Sequence, residues 1–248
     1  MIPYAATGTD DAEAIVPWTN IGLIVVNFLV FFYELSVGLT GGDDAISAFV
    51  QNFGLVPCEY TAHCAIAAGT PTPLWITLFT SMFMHAGWSH ILGNMVFLFV
   101  FGNHVERSMG HVRYLAYYLL CGLGANALEI ATAVDSSLPG LGASGAIAGV
   151  LGGYLVLYPT SRIGAVLPLG ILLVPTRVYA WVFIVFWFLF QLFNGFASVG
   201  GDAAAAGGVA YWAHVGGFLT GVLLIRPFTD AARWRQMQGY NAQFAQPA

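Results

Sequence analysis

Apolar residues run in long blocks along this chain, and the polar residues between them mark where each block ends. Six blocks read as membrane-spanning helices: Trp18–Leu39, His90–Glu106, His111–Ala133, Ser144–Tyr158, Val178–Ala197 and Tyr211–Pro227. Most approach the roughly 20 residues that carry a helix across about 30 Å of hydrocarbon. The block opening at Ser144 is shorter, so its first residues are expected below the membrane surface. The apolar stretch Ile163–Val174 is interrupted by Pro168 and followed by Pro175. It is too short to span and reads as an interfacial or buried loop. The long connection Thr40–Ser89 carries apolar and aromatic residues, and is expected to form a structure lying on the outer leaflet.

Composition turns these blocks into a fold class. Of 248 residues, 58% are hydrophobic and 8% charged, against about a quarter charged in soluble domains. Mean hydropathy is +0.76. The expectation is an all-α, polytopic membrane helical bundle of six transmembrane helices over residues 18–227. Residues 1–17 and 228–248 would be cytoplasmic tails. The start of the chain has no basic residue and no signal-peptide pattern, so the first helix is expected to be retained as a span. Net charge is −5 and no basic patch exists, which excludes a nucleic-acid footprint.

Every one of the seven basic residues is an arginine, and their distribution sets the orientation. Arg107 and Arg113, Arg162 and Arg177, and Arg226, Arg233 and Arg235 all fall on one side of a six-span layout. The opposite loops hold acids: Asp43, Asp44 and Glu59, then Asp135, then Asp202. Basic residues mark the cytoplasmic side. The chain is therefore expected in the cell membrane, multi-pass, with both termini cytoplasmic. Cys58 and Cys64 lie in the loop expected outside, where they would be either a disulfide or two free thiols. With Glu59 and His63 nearby they form only an incomplete metal set, and no metal or cofactor is expected. Cys121 reads as packing.

Four polar residues sit where an apolar helix has no need of them. His90 and Asn94 are four apart and share a helical face. Ser144 lies in the run Gly142-Ala143-Ser144-Gly145, and His214 in Ala213-His214-Val215-Gly216-Gly217. Taken alone, His90 and Asn94 read as hydrogen-bonded glue between helices, and a lone Ser144 could be packing too. Their depth points elsewhere. Spans two, four and six all descend from the outside, and all four residues occupy the first two turns of those spans.

Glycines at four-residue spacing, Gly145/Gly149/Gly153 and Gly217/Gly221, permit close approach of spans four and six. That approach would bring the Ser144 hydroxyl to the His214 ring as nucleophile and base. The Ser144 N–H, His90 and Asn94 would then be oxyanion donors. No acid is placed to orient His214, so the reading is a dyad. Ser81, His85 and Ser89 are candidates for a polar water entry.

These motifs, His90-x-x-x-Asn94, Gly142-x-Ser144-Gly145 and Ala213-His214-x-x-Gly217 in that order, resemble the rhomboid intramembrane serine proteases. Phe101-Gly102-Asn103-His104-Val105-Glu106 and Gly110 also resemble the family's end of span two. The resemblance covers about Trp75 to Pro227. It implies a rhomboid-like six-helix core with Ser144 as nucleophile, His214 as general base, and His90 and Asn94 at the oxyanion. It also implies a cavity open to the exterior and membrane lipid as surroundings. Substrates would be single-span membrane proteins, hydrolysed in or near their transmembrane helix. Span five would resemble a lateral gate, with Trp181, Phe183, Phe186, Trp187 and Phe190 as candidates; taken singly, each ring reads as lipid contact and packing.

Two departures accompany the match. The long first loop lacks arginine, and Ala148 stands where some members place an aromatic against the base. The runner-up is a catalytically inactive rhomboid-like protein that binds client membrane helices. A proton-relay transporter would need acid pairs at mid-span, whereas Glu34 and Glu129 lie near span ends. His104 and His111 read as solvated or interfacial, and Glu106 and Arg107 as structural.

Overall fold

The structure is a computed structural model that describes residues 2–6, 15–169, 172–198 and 209–235. The acids Asp10, Asp11, Glu13 and Asp202, and the tail beyond Arg235, lie outside the described residues. Among the described residues, six long helices carry the fold: α1 (Trp18–Phe53), α2 (Trp88–Met109), α3 (His111–Thr132), α4 (Ser144–Leu157), α5 (Ala180–Ser198) and α6 (Tyr211–Phe228). By length and composition α1, α3 and α5 can each cross a membrane. The pair Leu74–Phe83 and α2, bent by 83°, is apolar enough to be a fourth crossing or a re-entrant loop. The molecule is a polytopic helical bundle.

α4 is the centre. It has 14 residues, about 21 Å at helical rise, and is apolar or small on nearly every side. Every residue from Gly145 to Tyr154 is buried, as expected of a helix hydrophobic all round. α3 and α6 pack against it through glycine. A Cβ on Gly217 would strike the Gly145 carbonyl, and one on Gly152 would lie 2.5 Å from the Phe218 carbonyl. A Cβ on Gly216 would lie 2.6 Å from the Gly124 carbonyl. Cys121 of α3 is a free, buried thiol against Gly149, a packing role. The Tyr117 hydroxyl sits between two helix carbonyls, 2.7 Å from Gly149 O and 3.0 Å from Gly221 O. It ties α3 to both partners.

α1 is held at its start by α2. The Glu106 carboxylate accepts the backbone N–H of Thr19 (3.0 Å) and of Asn20 (2.7 Å), two of the orphan donors of a helix N-terminus. It also pairs with His111. Residues Leu98–Gly102 of α2 form a π-helical turn. Asn20 Nδ2 donates to the Leu98 carbonyl at 2.9 Å, satisfying a group that such a turn releases. The structural reading of Glu106 therefore holds. His104 is half-buried, its ring packed on Tyr154 and Tyr158 at 5.7 and 6.1 Å.

Two segments depart from the sequence reading. α1 does not stop at Leu39; it kinks at Gly42 (φ 75°) and continues to Phe53. Beyond it the first loop is built rather than extended. Cys58 and Cys64 form a disulfide, which removes both thiols from any metal set. His63 pairs with Asp135, and Glu59 accepts the Ala67 N–H at 2.9 Å. Leu55 and Gly140 exchange backbone bonds, which pin the first loop to the α3–α4 connection.

The second departure is Ile163–Val174, expected as a loop. It lies within a β-hairpin, β2 (Arg162–Leu169) and β3 (Leu172–Tyr179), joined by an N-terminal strand, β1 (Ile2–Ala6). The sheet order is β1-β2-β3, antiparallel throughout. The prolines fit because neither owes a bond to a third strand. Pro168 lies past the β1 pairing, which ends at Val166, and Pro175 is on the edge strand.

The arginine-bearing ends gather together. Arg113 reaches Asp230 at 3.6 Å, Tyr158 meets Trp234 at 5.5 Å, and Asp230 donates its N–H to Ser108 O at 3.1 Å. Backbone N–H groups of Arg233 and Ala232, with Arg113 nearby, hold the Asp230 carboxyl below the usual carboxylate range.

Candidate active site

Ser144 is the first residue of α4. Ile147 N–H closes the first turn onto Ala143 O, so the Ser144 N–H precedes the ladder and belongs to the donor end of the helix dipole. His214 lies in the first turn of α6. Its entry is held by Glu129 of α3, which accepts the Ala213 N–H at 3.1 Å. The glycine seam then sets the separation: His214 Nε2 lies 2.8 Å from Ser144 Oγ. Both residues are only partly buried.

Gly142 makes the turn into α4 with φ 128°, and its N–H donates to Ser81 O at 2.9 Å. A Cβ at Gly142 would lie 2.8 Å from His90 Nε2 and 3.7 Å from Ser144 Oγ. Those two atoms therefore flank one space, which only glycine leaves open. The Ala86 N–H points at His90 Nδ1 at 3.4 Å, so the His90 ring proton belongs on Nε2, facing that space. Asn94, one turn further along the same helix, is buried, and its Nδ2 has no hydrogen-bond partner among the described residues. An unpaired buried donor is costly unless it serves a charge that develops later.

A small cleft opens beside Ser144, lined among others by Ser81, Asn126, Glu129, Gly142 and Ala213. Of the expected water-entry residues, Ser81 lines this cleft and is buried. His85 is buried against His90, ring centroids 5.1 Å apart. Ser89 is exposed. His85 also takes part in the bend before α2, where its N–H donates to the Glu34 carboxylate at 3.1 Å.

The α5 aromatics divide. Trp181, Phe186 and Phe190 are exposed, whereas Phe183 is buried against Phe97 and Phe101 at 6.1 and 6.0 Å. Trp187 faces His214, with ring centroids 5.8 Å apart. Gln191, one turn on, has its Oε1 2.8 Å from His214 Nδ1. Sequence reasoning missed Gln191. Its signal was an amide in an otherwise apolar stretch of span five, four residues from Trp187.

A family model described as Rhomboid domain matches residues 72–230, which include all four residues of the candidate site. The chain is 28% identical to RHOMBOID-like protein 6, mitochondrial, of Arabidopsis thaliana, over 91% of this chain and 75% of that protein. It is 36% identical to Rhomboid-like protein 11, chloroplastic, of the same plant, over 32% of this chain. It is 39% identical to Rhomboid protease GluP of Bacillus subtilis (strain 168), over 36% of this chain. The matches span only 28% and 17% of those last two relatives.

Proposed function

Because the chain belongs to the rhomboid family of multi-pass membrane proteins, some of whose members are named proteases, we propose that it is an intramembrane serine endopeptidase. It would hydrolyse a peptide bond in or near the transmembrane helix of single-span membrane proteins. The observation that carries this reading is the 2.8 Å contact of Ser144 Oγ with His214 Nε2, across the Gly142 space from His90 Nε2. Nucleophile and base work at about 2.6–3.2 Å.

His214 Nε2 takes the hydroxyl proton as Ser144 Oγ bonds to the carbonyl carbon. The carbonyl oxygen gains the negative charge, and the Ser144 N–H, His90 Nε2–H and Asn94 Nδ2–H receive it. Collapse breaks the C–N bond, and the imidazolium returns its proton to the departing amine. Water from the cleft then attacks the acyl-enzyme by the same route in reverse. In a site poor in water each preorganised donor carries more than it would in solution. The arginine ends support an orientation with both termini cytoplasmic and the site open to the exterior of the cell membrane.

The test is a liposome assay with a single-span substrate. Wild type is expected to cleave, and Ser144→Ala and His214→Ala to lose at least about 10³-fold. A fluorophosphonate probe is expected to label Ser144 in the wild type alone. Equal cleavage by Ser144→Ala would remove the proposed nucleophile. A wild type that retains a single-span helix yet neither labels nor cuts would be a client-binding member instead.

A further inference from the structure

We infer that α5 arms the base: Gln191 and Trp187 are positioning residues that fix the tautomer and the ring plane of His214. The inference rests on the protease reading for its consequence, but its geometry stands alone. The expected dyad left the far nitrogen of the imidazole unassigned, and Ala148 of α4 offers no ring. α5 supplies both missing contacts from one face, since residues four apart lie one above the other.

Gln191 Oε1 stands 2.8 Å from His214 Nδ1, and a carbonyl oxygen can only accept. Nδ1 must then carry the ring proton, which leaves the Nε2 lone pair directed at Ser144 Oγ, 2.8 Å away. The opposite tautomer would put a proton on Nε2 and disarm it as a base. Gln191 is buried, so bulk water does not readily replace it. Trp187 lies against the imidazole at 5.8 Å and against Phe218 at 6.5 Å, restricting ring rotation. An amide does this work without charge, as befits a site inside an apolar bundle where an uncompensated carboxylate would be costly. It follows that the base is set only while α5 is docked. Displacement of this helix would uncouple His214.

The test uses the full chain in detergent micelles with ¹⁵N-histidine, the His214 signals being assigned by their loss in His214→Ala. Wild type is expected to show one tautomer, with Nδ1 protonated and Nε2 bare. Gln191→Met, which keeps the length and removes the oxygen, is expected to show both tautomers. Its fluorophosphonate labelling should slow about tenfold, the kinetic equivalent of one neutral hydrogen bond. Gln191→Glu restores an acceptor and is expected to restore the Nδ1–H tautomer.

Trp187→Leu should broaden the His214 signals, and Trp187→Phe should not. A wild-type ring protonated on Nε2, or Gln191→Met with unchanged tautomer and labelling, would overturn the inference; the first of these needs no variant to fold. If the tautomer is as expected while the wild type neither labels nor cleaves, the protease reading fails and the positioning geometry stands.

Discussion

The contact of α4 with α6 and the contact of α5 with its neighbours are built from opposite materials. α4 and α6 meet backbone to backbone, with glycine at each crossing and carbonyls where side chains would be. α5 meets α6 through rings, Phe188 stacked on Phe218 at 4.1 Å and Phe196 edge-on to Trp212 at 5.1 Å. It meets α2 through Phe183. A glycine seam has little freedom to adjust, because any shift drives main chain into main chain. An aromatic contact can slip and re-form at modest cost. The serine and the histidine backbone therefore sit on the rigid side of the molecule. The groups that orient the imidazole sit on the adaptable side.

Substitutions can separate the two kinds of contact. The largest effect is expected from Gly217→Val, whose added carbons would meet the Gly145 carbonyl. Unfolding in detergent should show a loss of about 3 kcal/mol, and Ser144 labelling should vanish with it. A labelled, stable Gly217→Val protein would mean that the seam is not rigid. Tyr117→Phe removes the hydroxyl between Gly149 O and Gly221 O, and should cost about 1 kcal/mol in the same measurement. Phe186→Ala, on the outward face of α5, should change stability by less than about 0.5 kcal/mol. A large loss there would show that the outer rings of α5 hold the bundle together.

The seam was legible in the sequence because glycine at four-residue spacing has one steric meaning in an apolar helix. The arginine pattern put His90, Asn94, Ser144 and His214 at one expected depth, and the structure brings His90, Ser144 and His214 around one space. The sheet was not legible. β1 and β2 are separated in the chain by most of the bundle, and the register Ile2↔Val166 leaves no local trace. The disulfide needed the Cα geometry that the short Pro57–Tyr60 helix provides. The role of Trp187 was hidden because aromatics facing lipid and facing a site share one periodicity. Gln191 carried a signal, but which of its atoms meets which ring nitrogen is a tertiary fact.

The entry to α5 has a mechanical consequence. Its first turn is fastened to the turn that follows α4, Ala180 N–H to Ser161 O at 2.8 Å and Trp181 N–H to Pro159 O at 3.0 Å, and the hairpin leads directly into it. A rod clamped at one end moves by pivoting. Gln191 lies about 16 Å along that rod from Ala180. A tilt of about 10° would swing the amide by about 3 Å, as far as the hydrogen bond it makes is long. A small angle at the basic end thus becomes a switched contact at the serine end.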